Sequence, residues 1–246
     1  MLIEMIRNVF SGQSIDMASI VSQILATLFI IFCILPLHEC AHGWVAYKLG
    51  DNTAKYNGRL TLNPLASLDT FGALAMLLFG FGWAKPVPVD ARRFKNPKRD
   101  MAITALAGPV SNLLAAIAGL IIFAFIYVFY HETFAVNIQG GFYVQNNSVV
   151  PHFINMFFIA YISLNVGLAV FNLIPVPPLD GSRIVGAFLS DKALYKYYQY
   201  QQYIVIGLFV ILYLGVLNVP MALLNNSILY GISQISSLIF KIFGLL

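Results

Sequence analysis

The 246-residue chain is 59% hydrophobic and only 10% charged, far too apolar for a water-soluble domain. Its net charge of +4 does not point to nucleic acid, because the Lys and Arg residues flank apolar runs, where they mark the cytoplasmic side of a membrane protein and meet lipid headgroups. The composition predicts an all-α polytopic membrane protein whose partners include the bilayer itself. Cys33 and Cys40 fall within one predicted helix, on nearly the same face, a pattern of packed thiols and not of a disulfide framework.

In chain order, residues 1–19 mix Leu2, Ile3, Ile6 and Phe10 with polar groups and read as an interfacial helix. No removable signal peptide is expected there. A first span covers about 20–50 and ends at Gly50, Asp51 and Asn52. The apolar stretch 67–83 is long enough to insert, yet Lys55 and Arg59 precede it and Lys85, Arg92, Arg93, Lys95, Lys98 and Arg99 follow it. Both flanks favour the cytoplasm, so it is predicted to be a re-entrant or packed segment. Further spans are predicted at about 101–130, 152–174, 203–218 and 228–245, giving about five full transmembrane helices. The loop 131–150 and the link 218–227 carry no Lys or Arg and are expected outside. Residues 182–202, with Arg183, Lys192, Lys196 and a tyrosine cluster, read as a cytoplasmic interfacial helix, and the last two spans as scaffold.

The sharpest chemical signal is His38-Glu39-Cys40-Ala41-His42. Histidines at i and i+4 share a helical face and reach a single Zn²⁺, while the adjacent Glu addresses its water. Three ionisable groups in five membrane-embedded residues are costly unless they pair or bind something. Such a site needs a third protein ligand. Glu4, Asp16, Asp51, Asp69, Asp90, Asp100 and Asp191 suit solvated surface better, and Glu132 and His152 fall on the outer side. Asp180 follows three prolines that stop a helix at membrane depth, where irregular backbone is tolerated only if buried in protein or lining a watery cavity. An N-cap role is the simpler reading of Asp180 taken alone. The first span and 152–174 both run outside to inside, so the histidines and Asp180 are expected in the same leaflet. Eight residues from His42 to Gly50 place the metal about 12 Å below the helix end, in the cytoplasmic half of the bilayer.

These residues resemble the site-2 proteases, a family of intramembrane zinc metalloproteases. The resemblance spans roughly 30–186. It rests on the His-Glu-x-x-His helix, on Gly108-Pro109-x-x-Asn112, and on Asn172-x-x-Pro175-x-Pro177-x-Leu179-Asp180-Gly181. The stretches 58–64 and 83–89 look like the compact bacterial branch, with no room for PDZ or CBS domains. Ser67 and Thr70 depart from the His and Pro of many compact members. The resemblance implies one Zn²⁺ per chain on His38, His42 and Asp180, Glu39 as catalytic base, and single-span membrane proteins as substrates in regulated intramembrane proteolysis at the cell membrane.

A helical substrate must unwind before attack, and its freed backbone groups need partners in lipid. The β-prone Leu60, Thr61 and Leu62 are candidates for a small membrane-associated β element that offers a strand edge, and Asn172 for a hydrogen bond to the extended backbone. Asn112 is a further substrate-binding candidate, with a helix-to-helix hydrogen bond as the alternative. Ala105, Gly108, Ser111, Ala115 and Gly119 read as a close-packing stripe docking the span at 101–130 on the histidine helix. Cys40 points away from the metal. The expected organisation is an interfacial helix over 1–19, a catalytic core over 20–186, and an interfacial segment with two C-terminal spans over 187–246. A membrane zinc transporter and an inactive helix-binding scaffold are the rival readings, and Glu39 beside the first ligand is what separates hydrolysis from transport.

Overall fold

A computed structural model describes residues 16–79, 82–130, 134–136, 142–144 and 149–245. The expected interfacial helix over 1–19 therefore lies mostly outside the described residues. Its last residues belong instead to the first long helix, which Asp16 caps by accepting the Ala18 N–H at 3.1 Å.

That first span is built in series from α1 (Met17–Phe29), a π-helical turn (Ile30–Ile34) and α2 (Leu35–Lys48). Pro36, at the start of α2, has no N–H to donate, and the wider turn before it absorbs the mismatch, with the Leu35 N–H reaching back to the Ile30 carbonyl. After Gly50 the chain makes three short helices: α3 (Thr53–Tyr56), α4 (Pro64–Ser67) and α5 (Thr70–Phe79). An extended stretch follows from residue 82 to residue 90. Next come α6 (Pro97–Phe129), the two-stranded antiparallel pair β1 (Phe134–Val136) and β2 (Phe142–Val144), and α7 (Val149–Asn172). A short α8 (Asp180–Gly186), α9 (Asp191–Gln199), α10 (Gln201–Tyr213) and α11 (Asn218–Ile242) complete the chain.

Three helices, Met17–Lys48, Pro97–Phe129 and Val149–Asn172, are each long and apolar enough to cross a bilayer. Together they make this a helical membrane protein. The expectation of five full spans is not met among the described residues. α10 is 13 residues long, about 20 Å, short of the roughly 30 Å of a hydrocarbon core. It meets α11 at an 81° bend, so the pair counts as at most one broken span. The break falls at Gly215, whose φ of +69° suits glycine. Asn218, Asn225 and Ser227, read from their polarity as a link, lie inside α11.

The small-residue stripe on α6 explains how the helices close. A Cβ at Gly119 would sit 2.4 Å from Cε1 of Tyr161 on α7, and the Tyr161 hydroxyl donates to the Ala115 carbonyl at 3.2 Å. Small side chains let helices approach this closely in lipid, where burial itself drives little association. The core then fills with Ile30, Ile34, Leu35, Ala116, Leu120 and Val166 from the first span, α6 and α7. α5 is too short to cross, but it buries Met76 in the same core, so the described part of the 67–83 segment centres on a packed apolar helix, Thr70–Phe79, against α1.

No strand forms at Leu60, Thr61 and Leu62. The chain there is bent and irregular. Thr61 Oγ1 accepts the Asn63 N–H at 3.1 Å, and Leu60 packs over Gly43 of α2. β-propensity without a partner strand is not a strand. The two short strands lie instead at 134–136 and 142–144.

The loop carrying Leu60 is locked to the extended stretch 82–90. The Lys85 N–H donates to the Ser67 carbonyl at 2.8 Å, and Arg59 Nη2 to the Lys85 carbonyl at 2.7 Å. Asp51, 0% exposed, accepts the N–H groups of Thr53 at 2.9 Å and Asp90 at 2.7 Å. One buried carboxylate thus ties the exit of α2 to the far end of the extended stretch.

Candidate active site

α2 places His38 and His42 one turn apart on its buried face, 5% and 4% exposed. Facing them, α7 ends at Asn172 and the proline-rich turn 173–179 delivers Asp180 as the first residue of α8. The N-cap position belongs to Leu179, and Asp180 makes no capping hydrogen bond, so its carboxylate is not used locally. The turn is held by Ser182 Oγ on the Leu179 carbonyl (2.7 Å) and by the Tyr197 hydroxyl of α9 on the Pro175 carbonyl (2.8 Å). Gly181 is required here, since a Cβ would lie 2.3 Å from the Leu173 carbonyl oxygen.

The three side chains converge on one point. His38 Nε2 and His42 Nε2 are 3.1 Å apart, and each is 3.3 Å from Asp180 Oδ2. Bonds of about 2.0–2.2 Å at tetrahedral angles separate two ligand atoms by about 3.3–3.6 Å; the two distances to Asp180 meet that spacing and the one between the imidazoles is slightly shorter, so the cluster suits a single, near-tetrahedral cation. His42 Nδ1 lies 2.7 Å from the Thr104 carbonyl oxygen. A carbonyl only accepts, so the proton sits on Nδ1 and the Nε2 lone pair faces the centre. Asp180 Oδ2 is buried and has no hydrogen-bond donor among the described residues. The His42 Nε2 lone pair and the Asp180 carboxylate oxygen, turned on one another, repel unless a metal ion or a proton lies between them.

Glu39 and all three of these residues line one cavity of about 360 Å³. Its walls are otherwise largely apolar, including Leu35, Trp83, Leu168, Phe171, Leu208 and Phe209. Glu39 Oε2 accepts the Val87 N–H at 2.8 Å, so the extended stretch is pinned against the glutamate.

Of the other residues singled out from sequence, Asn172 lines the cavity, with its Nδ2 on the Leu168 carbonyl at 3.0 Å. Leu60, Thr61 and Leu62 do not line it. Neither does Asn112, which sits behind His38, its Oδ1 3.4 Å from His38 Nδ1. Cys40 is half-buried and Cys33 exposed, both free thiols.

Three contributors were not anticipated. Gly108 does more than pack, since a Cβ there would lie 2.4 Å from His42 Nε2 and 2.5 Å from His38 Nε2. Its signal was the Gly-Pro step inside an apolar helix. Leu208, Phe209 and Leu212 of α10, read as scaffold, form part of the cavity wall. The Val87 N–H is a backbone group, which residue identity cannot reveal.

Long apolar helices that bring two histidines and an aspartate to one point, beside a glutamate in the same cavity, define a membrane-embedded protein with a hydrolase-like metal centre. The pattern of Peptidase family M50 matches residues 26–216. YwhC of Bacillus subtilis, provisionally named a zinc metalloprotease, is 40% identical over 185 residues, 75% of this chain and 77% of that protein. The chain therefore belongs to peptidase family M50. Rip2 of Mycolicibacterium smegmatis, also provisionally named a zinc metalloprotease, is 29% identical over 153 residues, 60% of this chain and 51% of its own length. Zinc metalloprotease MJ0392 of Methanocaldococcus jannaschii is 30% identical over 168 residues, 68% of this chain and 35% of its own length. No solved structure is significantly similar to this chain.

Proposed function

We propose that this protein is an intramembrane zinc endopeptidase of the site-2 protease type, which hydrolyses peptide bonds within or near the transmembrane segments of membrane proteins. The observation that carries the reading is the convergence of His38, His42 and Asp180 at near-tetrahedral spacing in the cavity that also holds Glu39. The names of the relatives are consistent with zinc, and the two-nitrogen, one-oxygen donor set suits it. Zinc held there supplies Lewis acidity, lowering the pKa of a bound water towards about 7 and polarising the scissile carbonyl.

The chain's own residues supply the rest. Glu39 takes a proton from the attacking water and returns it to the leaving amine nitrogen. The Val87 N–H fixes that carboxylate through one oxygen and leaves the other for the water. The apolar walls from α7 and α10 keep bulk water from the cavity, which strengthens every charge interaction inside it. Asn172 lines the cavity with its Nδ2 used within α7, which leaves Oδ1 as the acceptor for an unwound substrate strand. The catalytic residues fall within a core over 20–186, to which α10 adds a wall of the cavity. The basic residues from Lys48 to Arg99 near the histidine-bearing end of the first span support a cytoplasmic-half active site in the cell membrane.

Purified protein in liposomes, offered a panel of single-span substrates, tests this. Wild type is expected to cut within the spans, while Glu39→Gln, which keeps an acceptor for Val87, and chelator-treated enzyme are not. Stoichiometric zinc with no cleavage, and a Glu39→Gln variant indistinguishable from wild type in metal flux, would move the assignment to transport.

A further inference from the structure

One face of α6 addresses the metal ligands at three successive turns. Thr104, Gly108 and Asn112 are spaced i, i+4, i+8 and so stack along the helix. The Thr104 carbonyl meets His42 Nδ1, Gly108 lies against both Nε2 atoms, and Asn112 Oδ1 meets His38 Nδ1. Asn112 is 0% exposed, and its Nδ2 has no hydrogen-bond partner among the described residues. A buried amide that leaves its donor unsatisfied costs about 1–3 kcal/mol. An apolar side chain of the same size would avoid that cost, so helix packing alone does not account for an asparagine here.

The two ring nitrogens of His38 point away from each other, so a group on Nδ1 cannot touch a substrate at the metal. It can decide which nitrogen carries the proton. With Oδ1 as acceptor, Nδ1 is protonated and the Nε2 lone pair is directed at the point shared with His42 and Asp180. Were the amide reversed, Nε2 would carry the proton and aim an N–H at a site built for a cation.

We propose that Asn112 is a positioning residue for the metal centre, holding His38 in its Nδ1–H tautomer through Oδ1, and takes no part in binding substrate. The proposal rests on zinc binding by His38, His42 and Asp180, and its test separates the two ideas. Zinc affinity of the purified full-length protein in detergent is measured by competition with a chromogenic chelator, for wild type, Asn112→Leu and Asn112→Asp. The absorption of the Co²⁺-loaded forms is recorded as a second readout.

Asn112→Leu keeps the branched heavy-atom outline and loses the acceptor, and is expected to bind zinc about 10–100-fold more weakly, with an altered cobalt spectrum. Asn112→Asp keeps the acceptor oxygen, replaces the unsatisfied donor by a second acceptor and adds a negative charge beside the cation, and is expected to match or exceed wild type. Wild-type zinc affinity in Asn112→Leu overturns the proposal, even if that variant melts earlier. Zinc loss in Asn112→Asp overturns it as well, and decides the matter if Asn112→Leu does not fold. Failure of the wild type itself to bind zinc removes the underlying metal assignment.

Discussion

Replacing Gly108 with alanine adds a single methyl group at the tightest point of the site. An ideal Cβ there falls 2.4 Å from His42 Nε2 and 2.5 Å from both Cε1 and Nε2 of His38, about 1 Å inside the roughly 3.5 Å at which such atoms first attract. The rings cannot yield freely, because His42 is tethered to the Thr104 carbonyl on the same helix. Either α6 withdraws or the imidazoles swing off the shared point, and metal sites tolerate only about 0.2 Å of ligand displacement. The substitution otherwise favours the helix, by about 0.5–1 kcal/mol, so a loss of metal cannot be blamed on a weakened α6. Elemental analysis of Gly108→Ala purified in detergent is expected to show zinc far below one per chain, with peptidase activity lost in parallel. A variant that keeps stoichiometric zinc and cuts at the wild-type rate would refute the close apposition of α6 and the histidines.

Gly119→Ala is the control on the same helix. Its methyl would strike Tyr161, so thermal stability in detergent should fall while zinc content per folded molecule stays at the wild-type level. Asp180→Ala leaves two histidines without a third ligand, and chelator competition should register a collapse of zinc affinity. Asp51→Asn presents an amide to backbone N–H groups that now find a carboxylate, costing about 1–3 kcal/mol. That should lower the melting temperature by about 2–10 °C. Asp191→Asn removes the 2.7 Å ion pair with Lys98, keeps the Lys98 hydrogen bond to the Leu189 carbonyl, and should leave melting at pH 7 almost unmoved. Lys98 holds the Asp191 carboxyl below the usual range, so whatever the pair contributes is present above the ordinary aspartate pKa of about 3.9. It fades as pH falls through the lowered value, and wild type and variant should converge in acid.

The cluster of His38, His42 and Asp180 was legible because each part follows a local rule. His38 and His42 are visible at helical spacing, and Asp180 stands out behind prolines that no membrane helix would carry without reason. The long first, α6 and α7 helices announce themselves by length and hydropathy. What failed to show depends on partners distant in sequence. Leu60, Thr61 and Leu62 have the residues of a strand, but Leu60 lies on Gly43 of α2 and no neighbouring strand pairs with them. The run 203–218 has the hydropathy of a span, yet Gly215 ends the helix after 13 residues and turns it so that Leu208 and Phe209 close the cavity. Gly108 looked like packing because its spacing is that of packing. Only the nearness of the imidazoles gives it a second duty.

The π-helical turn at Ile30–Ile34 makes the first span two helices with a clutch between them. A π turn holds one residue more than an α turn, and one residue is about 100° of helical rotation. Deleting a single isoleucine there should therefore leave the His38–His42 ladder docked on α6 and instead turn the whole of α1 by about a quarter of a circle. Ser22, now bonded to the Phe153 carbonyl at 3.0 Å, would then lose that partner. One turn thus sets the face that α1 offers to α7 relative to the face that carries His38 and His42.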